Sequence, residues 1–260
     1  MEKLDFLIGY LLNENKNIKI ERIPQNITEK KKLYRSLCNI REAKPISEEY
    51  LQKENEYLQE ELKKKYITKV QSILPIKKSK LGNKICLWKG DITTLEIDAI
   101  VNAANSQGLG CFIPCHKCID NQINTFAGIS LRLECNKIMK DKNYFLDTGK
   151  AFITKGYNLP AKYIIHTVGP VIYNNVTKKE EKQLMDCYIN SLKLAMKNGI
   201  RTIAFPCIST GEFKFPKEKA SKLAISAVKS FLDEYAGGLE KVVFNVYGEE
   251  DYKIYESNFK

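Results

Sequence analysis

Residues 90–128 read GDITTLEIDAIVNAANSQGLGCFIPCHKCIDNQINTFAG, and the fold expected for the rest of the chain follows from this stretch. An acidic residue, Asp91, precedes the segment IDAIVNA, whose apolar and β-branched residues are typical of a buried strand. The segment runs into two asparagines, Asn102 and Asn105. Within the next residues come four side chains that commonly bind metal ions: Cys111, Cys115, His116 and Cys118.

Downstream of residue 84, short strands alternate with helical stretches. The predicted strands are KICLWKG, IDAIVNA, GKAFITKGY, KYIIHTVGP, TIAFPCIST and KVVFNVY. Apolar residues at helical spacing predict one long helix over about 118–142, another ending near Gly199, and a third that begins at Pro216 and ends at 237–238. Strands interleaved with helices indicate an α/β layer fold around a mixed, mostly parallel, covered sheet.

The first 75 residues differ, because their pattern is helical throughout. Thr28 is predicted to cap one helix and Ser47 the next. The second of these helices carries only a narrow apolar stripe, which suits an element that covers another surface. We therefore expect residues 1–75 to be a helical extension docked on a main domain of residues 76–260, with a linker at 75–83. A coiled-coil partner helix is the alternative, which the shortness of the stripe disfavours.

Composition limits the class of protein. The chain of 260 residues is 43% hydrophobic and 28% charged, as is ordinary for a globular protein, and no apolar run approaches the ~20 residues of a membrane helix. Acidic residues near the start argue against a signal peptide. Eight irregularly spaced cysteines suggest reduced thiols in a cytoplasm together with a metal site.

The net charge of +11 raises the question of a nucleic-acid partner. The basic residues are mostly lysines scattered along the chain, without the interleaved aromatic residues of a single-strand-binding surface. We therefore interpret the excess as solvated surface charge that helps to attract a phosphate-bearing ligand.

Two short motifs follow predicted strands, where ligands of open α/β sheets bind. After KICLWK, the Asp91 carboxylate could accept a hydrogen bond from an exocyclic amine beside the backbone N–H of Ile92, although on this motif alone a turn-capping Asp is the preferred interpretation. After TIAFPCI, small residues with free N–H groups suit phosphate oxygens, with an ordinary strand–helix turn as the alternative. The second motif consists of Ser209, Thr210, Gly211, Glu212 and Phe213.

The cysteine and histidine residues suggest zinc, which binds thiolates and imidazoles. Cys111, His116 and Cys118 form a C-x4-H-x-C set, and Cys115 is a candidate fourth ligand. All lie in one loop, whereas structural zinc sites draw four ligands from two separated pairs. The loop therefore fits an open site with three protein ligands; unmetallated thiols beside a chance histidine are the alternative. His166 lies in a predicted strand and is interpreted as a core histidine.

Together, GDIT, IDAIVNAAN, CFIPCHKCIDN, LRLEC, YIIHTVGP and PCISTGEFKFP resemble the macrodomains, and specifically the zinc-containing macrodomain hydrolases linked to sirtuin-type transferases. The resemblance runs from about residue 84 to the end and extends to the helical N-terminus. It implies a three-layer α/β macrodomain that binds ADP-ribose in a cleft and removes mono-ADP-ribose from modified proteins. A lipoyl-carrier protein modified by a sirtuin-type transferase is the substrate partner that the resemblance implies.

The resemblance also implies roles for individual residues. Asp91 would bind the adenine amine, with Ile92 nearby, Asn105 would reach the distal ribose, and residues 209–213 would surround the diphosphate. Zinc would be held by Cys111, His116 and Cys118, with Asp120 positioning the attacking water. Asn124 stands where relatives commonly have His.

Three functions are compared on this basis. We prefer a zinc-dependent hydrolase that releases ADP-ribose from proteins, with Asp120, Asn105 and Cys118 as its catalytic residues. A non-catalytic ADP-ribose reader would instead have a structural zinc closed by a fourth ligand, Cys115. A nucleic-acid-binding protein would show binding with steep salt dependence.

Overall fold

The structure, a computed structural model, describes residues 2–18, 20, 22–76, 84–235 and 237–259. The predicted linker at 75–83 lies outside the described residues except for its first two, of which Ile76 donates its N–H to the carbonyl of Ile85 at 2.9 Å. Within the described ranges, no helix combines the length and the apolar character needed to cross a membrane.

Helices and strands alternate as the sequence predicts from residue 84 onward. The helices of the described residues are α1 Glu2–Glu14, α2 Ile27–Ile40, α3 Glu48–Lys63, α4 Ile119–Ala127, α5 Ile129–Lys140, α6 Lys178–Lys197, α7 Lys217–Glu234 and α8 Glu249–Asn258. The strands are β1 Thr68–Lys69, β2 Ile85–Lys89, β3 Leu95–Glu96, β4 Ala99–Ala104, β5 Ala151–Lys155, β6 Tyr163–Val168, β7 Thr202–Phe205 and β8 Lys241–Val246. The C-terminal helix α8 and the short strands β1 and β3 were not predicted.

A six-stranded sheet forms the centre of the molecule. Its order is β2-β8-β7-β4-β6-β5, and every neighbouring pair is parallel except β5 with β6. In the register, Val101 of β4 lies opposite Ile165 of β6, and Phe205 of β7 opposite Phe244 of β8. The mixed, mostly parallel sheet confirms the predicted α/β fold.

Both faces of the sheet are covered, because successive strand residues point to opposite sides. Val101 packs on the face covered by α6, α7 and α8, whereas Ile100 packs on the opposite face against α4 and α5. The same alternation holds for Ile203 and Ala204 in β7. Two apolar cores therefore lie on either side of the sheet, as a three-layer protein requires.

The N-terminal helices α1 to α3 enclose a third apolar cluster. Leu7, Ile8 and Tyr50 are fully buried in it, and Ile129 of α5 joins the same cluster.

The start of α2 differs from the prediction. Asn26, not Thr28, caps this helix, since its Oδ1 accepts the N–H of Thr28 at 2.8 Å. Either residue type can serve as a cap, and only the backbone geometry selects between them.

The cap predicted for α3 is confirmed. Ser47 Oγ accepts the N–H of Tyr50 at 3.2 Å.

The residues between α3 and the predicted linker pack on the main domain. Val70 and Ile73 lie in the core on one face of the sheet, and β1 pairs with β3, which belongs to the same core. The exact division into 1–75 and 76–260 stays a prediction.

The single helix predicted over about 118–142 is two helices in the structure, α4 and α5. The stretch over 118–142 divides at Gly128, whose φ of +94° lies in the region that favours glycine. A methyl group there would lie 2.8 Å from Glu54 Oε2. Glu54, in α3, accepts the N–H of Ile129 at 2.8 Å, so the extension caps the start of α5. The apolar spacing continues across this break, which is why the sequence predicts a single helix.

Candidate functional site

The sheet topology brings the predicted ligand-binding motifs to one edge. The parallel strands β2, β4, β6 and β7 end there, and Asp91, Asn105, Gly169 and the 209–213 loop follow them. The carboxyl ends of parallel strands form the ligand-binding crevice in open α/β sheets. The prediction that these motifs share an edge is therefore confirmed.

The three predicted metal ligands converge. One ligand atom each of Cys111, His116 and Cys118 lies within 4.8 Å of the other two, and all three residues are half-buried. His116 Nδ1 lies 3.7 Å from the Cys111 Sγ. Thiolates and an imidazole are the ligands that zinc prefers, so the donor set fits this ion.

The ionisation of the thiols depends on their surroundings. Burial raises the pKa of Cys118 to about 12, and the neighbouring Cys111 adds to this, against the opposing hydrogen bond from the Asn121 N–H. Clustered thiols of this kind ionise most readily beside a cation, since a metal ion stabilises the thiolate. A cation bound beside Cys118 would therefore favour its thiolate form.

Cys115 is turned away from this group. Its φ is +53°, and its Sγ lies 3.1 Å from Ser36 Oγ of the extension and 3.4 Å from the carbonyl of Lys32. Its position leaves three protein ligands, the number found in catalytic zinc sites that retain an open position.

Asp120 lies in the first turn of α4, two residues after Cys118. Its buried Oδ1 accepts hydrogen bonds from Nδ2 of Asn102 at 2.7 Å and from Nδ2 of Asn124 at 3.1 Å. Burial raises the pKa of Asp120 to about 6, while the Asn102 amide and the charge of Arg132 oppose the increase. The amide of Asn124 thus orients the carboxylate.

Three buried oxygens in this network lack a hydrogen-bond partner among the described residues: Asn102 Oδ1, Asp120 Oδ2 and Asn124 Oδ1. A buried polar atom without a partner is costly and is uncommon in proteins. A water or a ligand hydroxyl could donate to these acceptors. The carboxylate of Asp120 therefore has one oxygen held by amides and one oxygen free to accept a proton.

His166 is a core histidine, as predicted. Its Nδ1 lies 3.1 Å from Asn102 Nδ2, its Nε2 lies 3.0 Å from Thr154 Oγ1, and its ring stacks on Phe152 with centroids 4.5 Å apart. Burial lowers the pKa of His166 to about 3. The imidazole is neutral and supports Asn102 from behind.

Asp91 caps a short 3₁₀ turn and keeps one oxygen accessible. Its Oδ1 accepts the N–H of Thr93 at 2.9 Å and the hydroxyl of the same residue at 2.6 Å. Its Oδ2 lies 3.7 Å from the Nζ of Lys65, and the side chain is 42% exposed. Asp91 can therefore cap the turn through Oδ1 and still accept a hydrogen bond from a ligand amine through Oδ2.

The side chain of Asn105 shapes the glycine-containing loop after β4. Its Oδ1 accepts the N–H groups of Gln107 at 3.0 Å and Gly108 at 3.2 Å, and its Nδ2 donates to the carbonyl of Gly110 at 3.1 Å. An amide nitrogen carries two hydrogens, so one remains for a ligand such as a ribose hydroxyl.

The 209–213 loop has the backbone expected of an anion-binding turn. Ser209 has a φ of +65°, and its buried Oγ has no hydrogen-bond partner among the described residues. Gly169 permits this arrangement, because a methyl group on it would lie 2.0 Å from that Oγ. Helix α7 begins at Lys217, one residue after the predicted start at Pro216, so three residues separate the loop from the helix.

The anion-binding loop and the metal group are neighbours. Glu212 Oε1 lies 3.5 Å from His116 Nε2, although the two residues are almost 100 positions apart in the chain. The site therefore combines a candidate metal site, a buried carboxylate and a loop in which the Ser209 hydroxyl has no partner among the described residues.

Asn121 of α4 braces the loop of residues 105–118, the metal loop, which carries the candidate metal ligands. Its Nδ2 donates to the carbonyl of Ile113 at 2.9 Å, and its Oδ1 accepts from Arg35. Arg35 and Arg132, which both bond the metal loop, were missed. The sequence offers one signal for such a residue, a charged side chain among the apolar positions of a predicted helix, and Arg132 shows it.

Solved structures share this architecture. A Trypanosoma brucei macrodomain in complex with ADP-ribose matches with a TM-score of 0.67 at 31% identity, over 82% of this chain and 91% of that one. An Oceanobacillus iheyensis macrodomain with ADP matches with a TM-score of 0.63 at 33% identity, over 69% of this chain and 92% of that one. The three-layer fold and the crevice are thus those of the macrodomain class.

The sequence comparison agrees over the whole chain. A family model described as Macro domain matches residues 101–224. The chain is 44% identical to the Protein-ADP-ribose hydrolase of Treponema medium over 254 residues, which cover 98% of this chain and 97% of that protein. The chain belongs to the macro domain family.

Proposed function

We propose that the chain is a hydrolase that removes mono-ADP-ribose from ADP-ribosylated proteins, and that it uses a zinc ion held by Cys111, His116 and Cys118. The observation that carries the proposal is the convergence of these three ligand atoms within 4.8 Å, beside the loop that would bind the diphosphate. The name of the Treponema medium relative and the ligand of the Trypanosoma brucei structure support the reaction and the substrate class.

The nucleotide end of the substrate would lie along the sheet edge. The exposed Oδ2 of Asp91 accepts from the adenine amine beside the N–H of Ile92, which is buried. The diphosphate lies in the 209–213 loop, where Ser209 supplies a hydroxyl and small residues supply N–H groups. These contacts hold the scissile bond in place, so binding energy from the remote nucleotide assists the chemical step.

The reacting end would lie between Asn105, Asp120 and the metal group. The remaining N–H of Asn105 donates to a hydroxyl of the distal ribose. Asp120 positions the attacking water through its free Oδ2, while Asn102 and Asn124 hold Oδ1. When bound, zinc supplies Lewis acidity toward a ribose hydroxyl or a water at this end of the site.

The second candidate function is a reader that binds ADP-ribose without cleaving it and has a structural zinc. Such a site needs a fourth protein ligand, and Cys115 is the candidate. The contacts of its Sγ with Ser36 and Lys32 favour the catalytic alternative.

The partners and the compartment extend the same proposal. The substrate would be a protein such as a lipoyl carrier modified by a sirtuin-type transferase, and the compartment would be the cytoplasm. All eight cysteines lie in described ranges as free thiols, which supports a reducing compartment.

The test compares two cysteine variants. A mono-ADP-ribosylated protein is incubated with the wild type, with Cys118→Ala and with Cys115→Ala, and free ADP-ribose and bound zinc are measured. We expect Cys118→Ala to lose most zinc and most activity, and Cys115→Ala to retain both, because only the first removes a ligand. Equal activity of Cys118→Ala and the wild type would contradict the zinc mechanism, and ADP-ribose binding by a wild type without turnover would favour the reader.

A further inference from the structure

The loop that carries the metal ligands has no regular structure of its own. Residues 105–118, all of them described, join β4 to α4 without a helix or strand. A loop of this length loses considerable backbone conformational entropy when it is fixed in one shape. The side chain of Asn105 fixes the start of the loop, and side chains of neighbouring elements bond the rest of it.

Three of these bonds come from side chains of the macrodomain itself. Arg132 of α5 donates from Nε to the carbonyl of Leu109 at 2.8 Å and from Nη2 to that of Cys111 at 3.3 Å. Asn121 of α4 donates to the carbonyl of Ile113 at 2.9 Å. These bonds hold the first half of the loop as far as Ile113.

The second half of the loop is held by the N-terminal extension. Arg35 of α2 donates from Nη2 to the carbonyl of His116 at 2.7 Å, and its Nε and Nη2 lie 3.1 and 2.6 Å from Asn121 Oδ1. Asn39, one turn further along α2, accepts the N–H of Cys115 at 2.9 Å. Each of these bonds links positions about 80 residues apart in the chain.

The extension is itself anchored where these bonds form. Arg132 donates from Nη1 to the carbonyls of Cys38 at 2.9 Å and Asn39 at 2.8 Å, at the C-terminal end of α2. The same guanidinium therefore ties the end of α2 to the metal loop. The extension and the metal loop are parts of one hydrogen-bonded unit.

We propose that Arg35 is a positioning residue for the metal centre, so that the N-terminal extension completes the zinc site. The proposal rests on the zinc site of the proposed function, and it assigns the extension a role in that site. One planar guanidinium fixes the backbone of the ligand His116 and the amide that orients the preceding part of the loop. Lysine cannot reproduce this arrangement, because its ammonium lacks the rigid fork of donors.

The measurement is zinc affinity, by competition with a chromophoric chelator in the absence of substrate. Outer partners of metal ligands contribute about 10- to 100-fold to metal affinity. We expect Arg35→Ala to weaken zinc binding by about this factor and Arg35→Lys to fall between it and the wild type. The absorption spectrum of the cobalt-substituted protein should also change in Arg35→Ala, because the position of His116 is altered.

Gln59→Ala is the matched control. Gln59 of α3 also bonds the extension to the macrodomain, donating to the carbonyl of Asn158 at 3.1 Å and to its Oδ1 at 3.2 Å. Among the described residues, none of its hydrogen bonds reaches the metal loop. We expect this variant to keep the zinc affinity and the cobalt spectrum of the wild type. A comparable loss in both variants would mean general loosening of the extension and would overturn the proposal.

The outcomes separate this inference from the proposed function. Zinc binding and turnover by the wild type, with unchanged zinc affinity in both Arg35 variants, would refute the role of Arg35 alone. If Arg35→Ala does not fold, Arg35→Lys decides, and wild-type affinity in that variant counts against the proposal. A wild type that binds no zinc would refute both the metal site and its positioning residue.

Discussion

Acid should destabilise the protein through His166. Asn102 Nδ2 donates to the Asp120 carboxylate, so the same nitrogen faces His166 Nδ1 as a donor, and Nδ1 must be the unprotonated acceptor. The Nε2 hydrogen is then directed at Thr154 Oγ1. A second proton on Nδ1 would oppose the Asn102 donor in a fully buried position, which agrees with a pKa lowered by burial to about 3.

The size of the effect follows from the two pKa values. An unfolded chain has a histidine pKa of about 6.5, so between pH 6.5 and pH 3 the unfolded state binds more protons than the folded state, and stability decreases as the pH decreases. One pH unit in this window corresponds to about 1.4 kcal/mol per histidine. From pH 7.5 to pH 4.5, His166 should therefore lower the free energy of unfolding by roughly 3 kcal/mol.

The assay is urea unfolding of the wild type and His166→Gln at pH 7.5 and 4.5, with a metal chelator present so that loss of metal at low pH does not contribute. His166→Gln will be less stable at pH 7.5, but the decrease in its free energy of unfolding toward pH 4.5 should be smaller than that of the wild type by roughly 3 kcal/mol. Thr154→Val keeps the imidazole and should retain the wild-type pH dependence. The same decrease in wild type and His166→Gln would refute the assignment of a buried neutral histidine.

Two glycine substitutions test the backbone geometry. Gly199→Ala, with a φ of +66° and open space around it, should lower the free energy of unfolding only by the backbone contribution of about 1–2 kcal/mol. Gly128→Ala should lower it by more than Gly199→Ala does, since a clash with Glu54 adds to its positive φ. Urea unfolding compares the two variants, and equal losses would contradict the role of the Glu54 contact. Gly169→Ala should retain the fold but weaken ADP-ribose binding at least tenfold in calorimetry, because its methyl group would displace Ser209; unchanged affinity would exclude Ser209 from the diphosphate site.

The order of the main elements could be predicted because it depends on local patterns. The strand IDAIVNA is apolar and β-branched on both faces, as β4 between two helical layers requires. Helix α8 was missed, since its sequence is strongly charged and only Tyr255 is buried in it. The break at Gly128 was also missed, because glycine inside an apolar repeat does not reveal its φ.

The metal ligands could be named from the sequence because their spacing is short. Cys111, His116 and Cys118 lie within one loop, and the structure brings the same three together. The ligand count was left open, since spacing alone does not distinguish Cys115 from the others. A backbone φ of +53° and the contacts of its thiol with α2 place Cys115 elsewhere.

The sequence by itself determined the α/β class, the motifs at the strand ends and the candidate ligand set, because each depends on residues close together in the chain. Only the tertiary structure decided that Glu212 reaches His116, that Asn102 and Asn124 hold Asp120, and that α2 braces the metal loop. These contacts join positions far apart in the chain and depend on strand order and helix packing. Local periodicity carries no information about them.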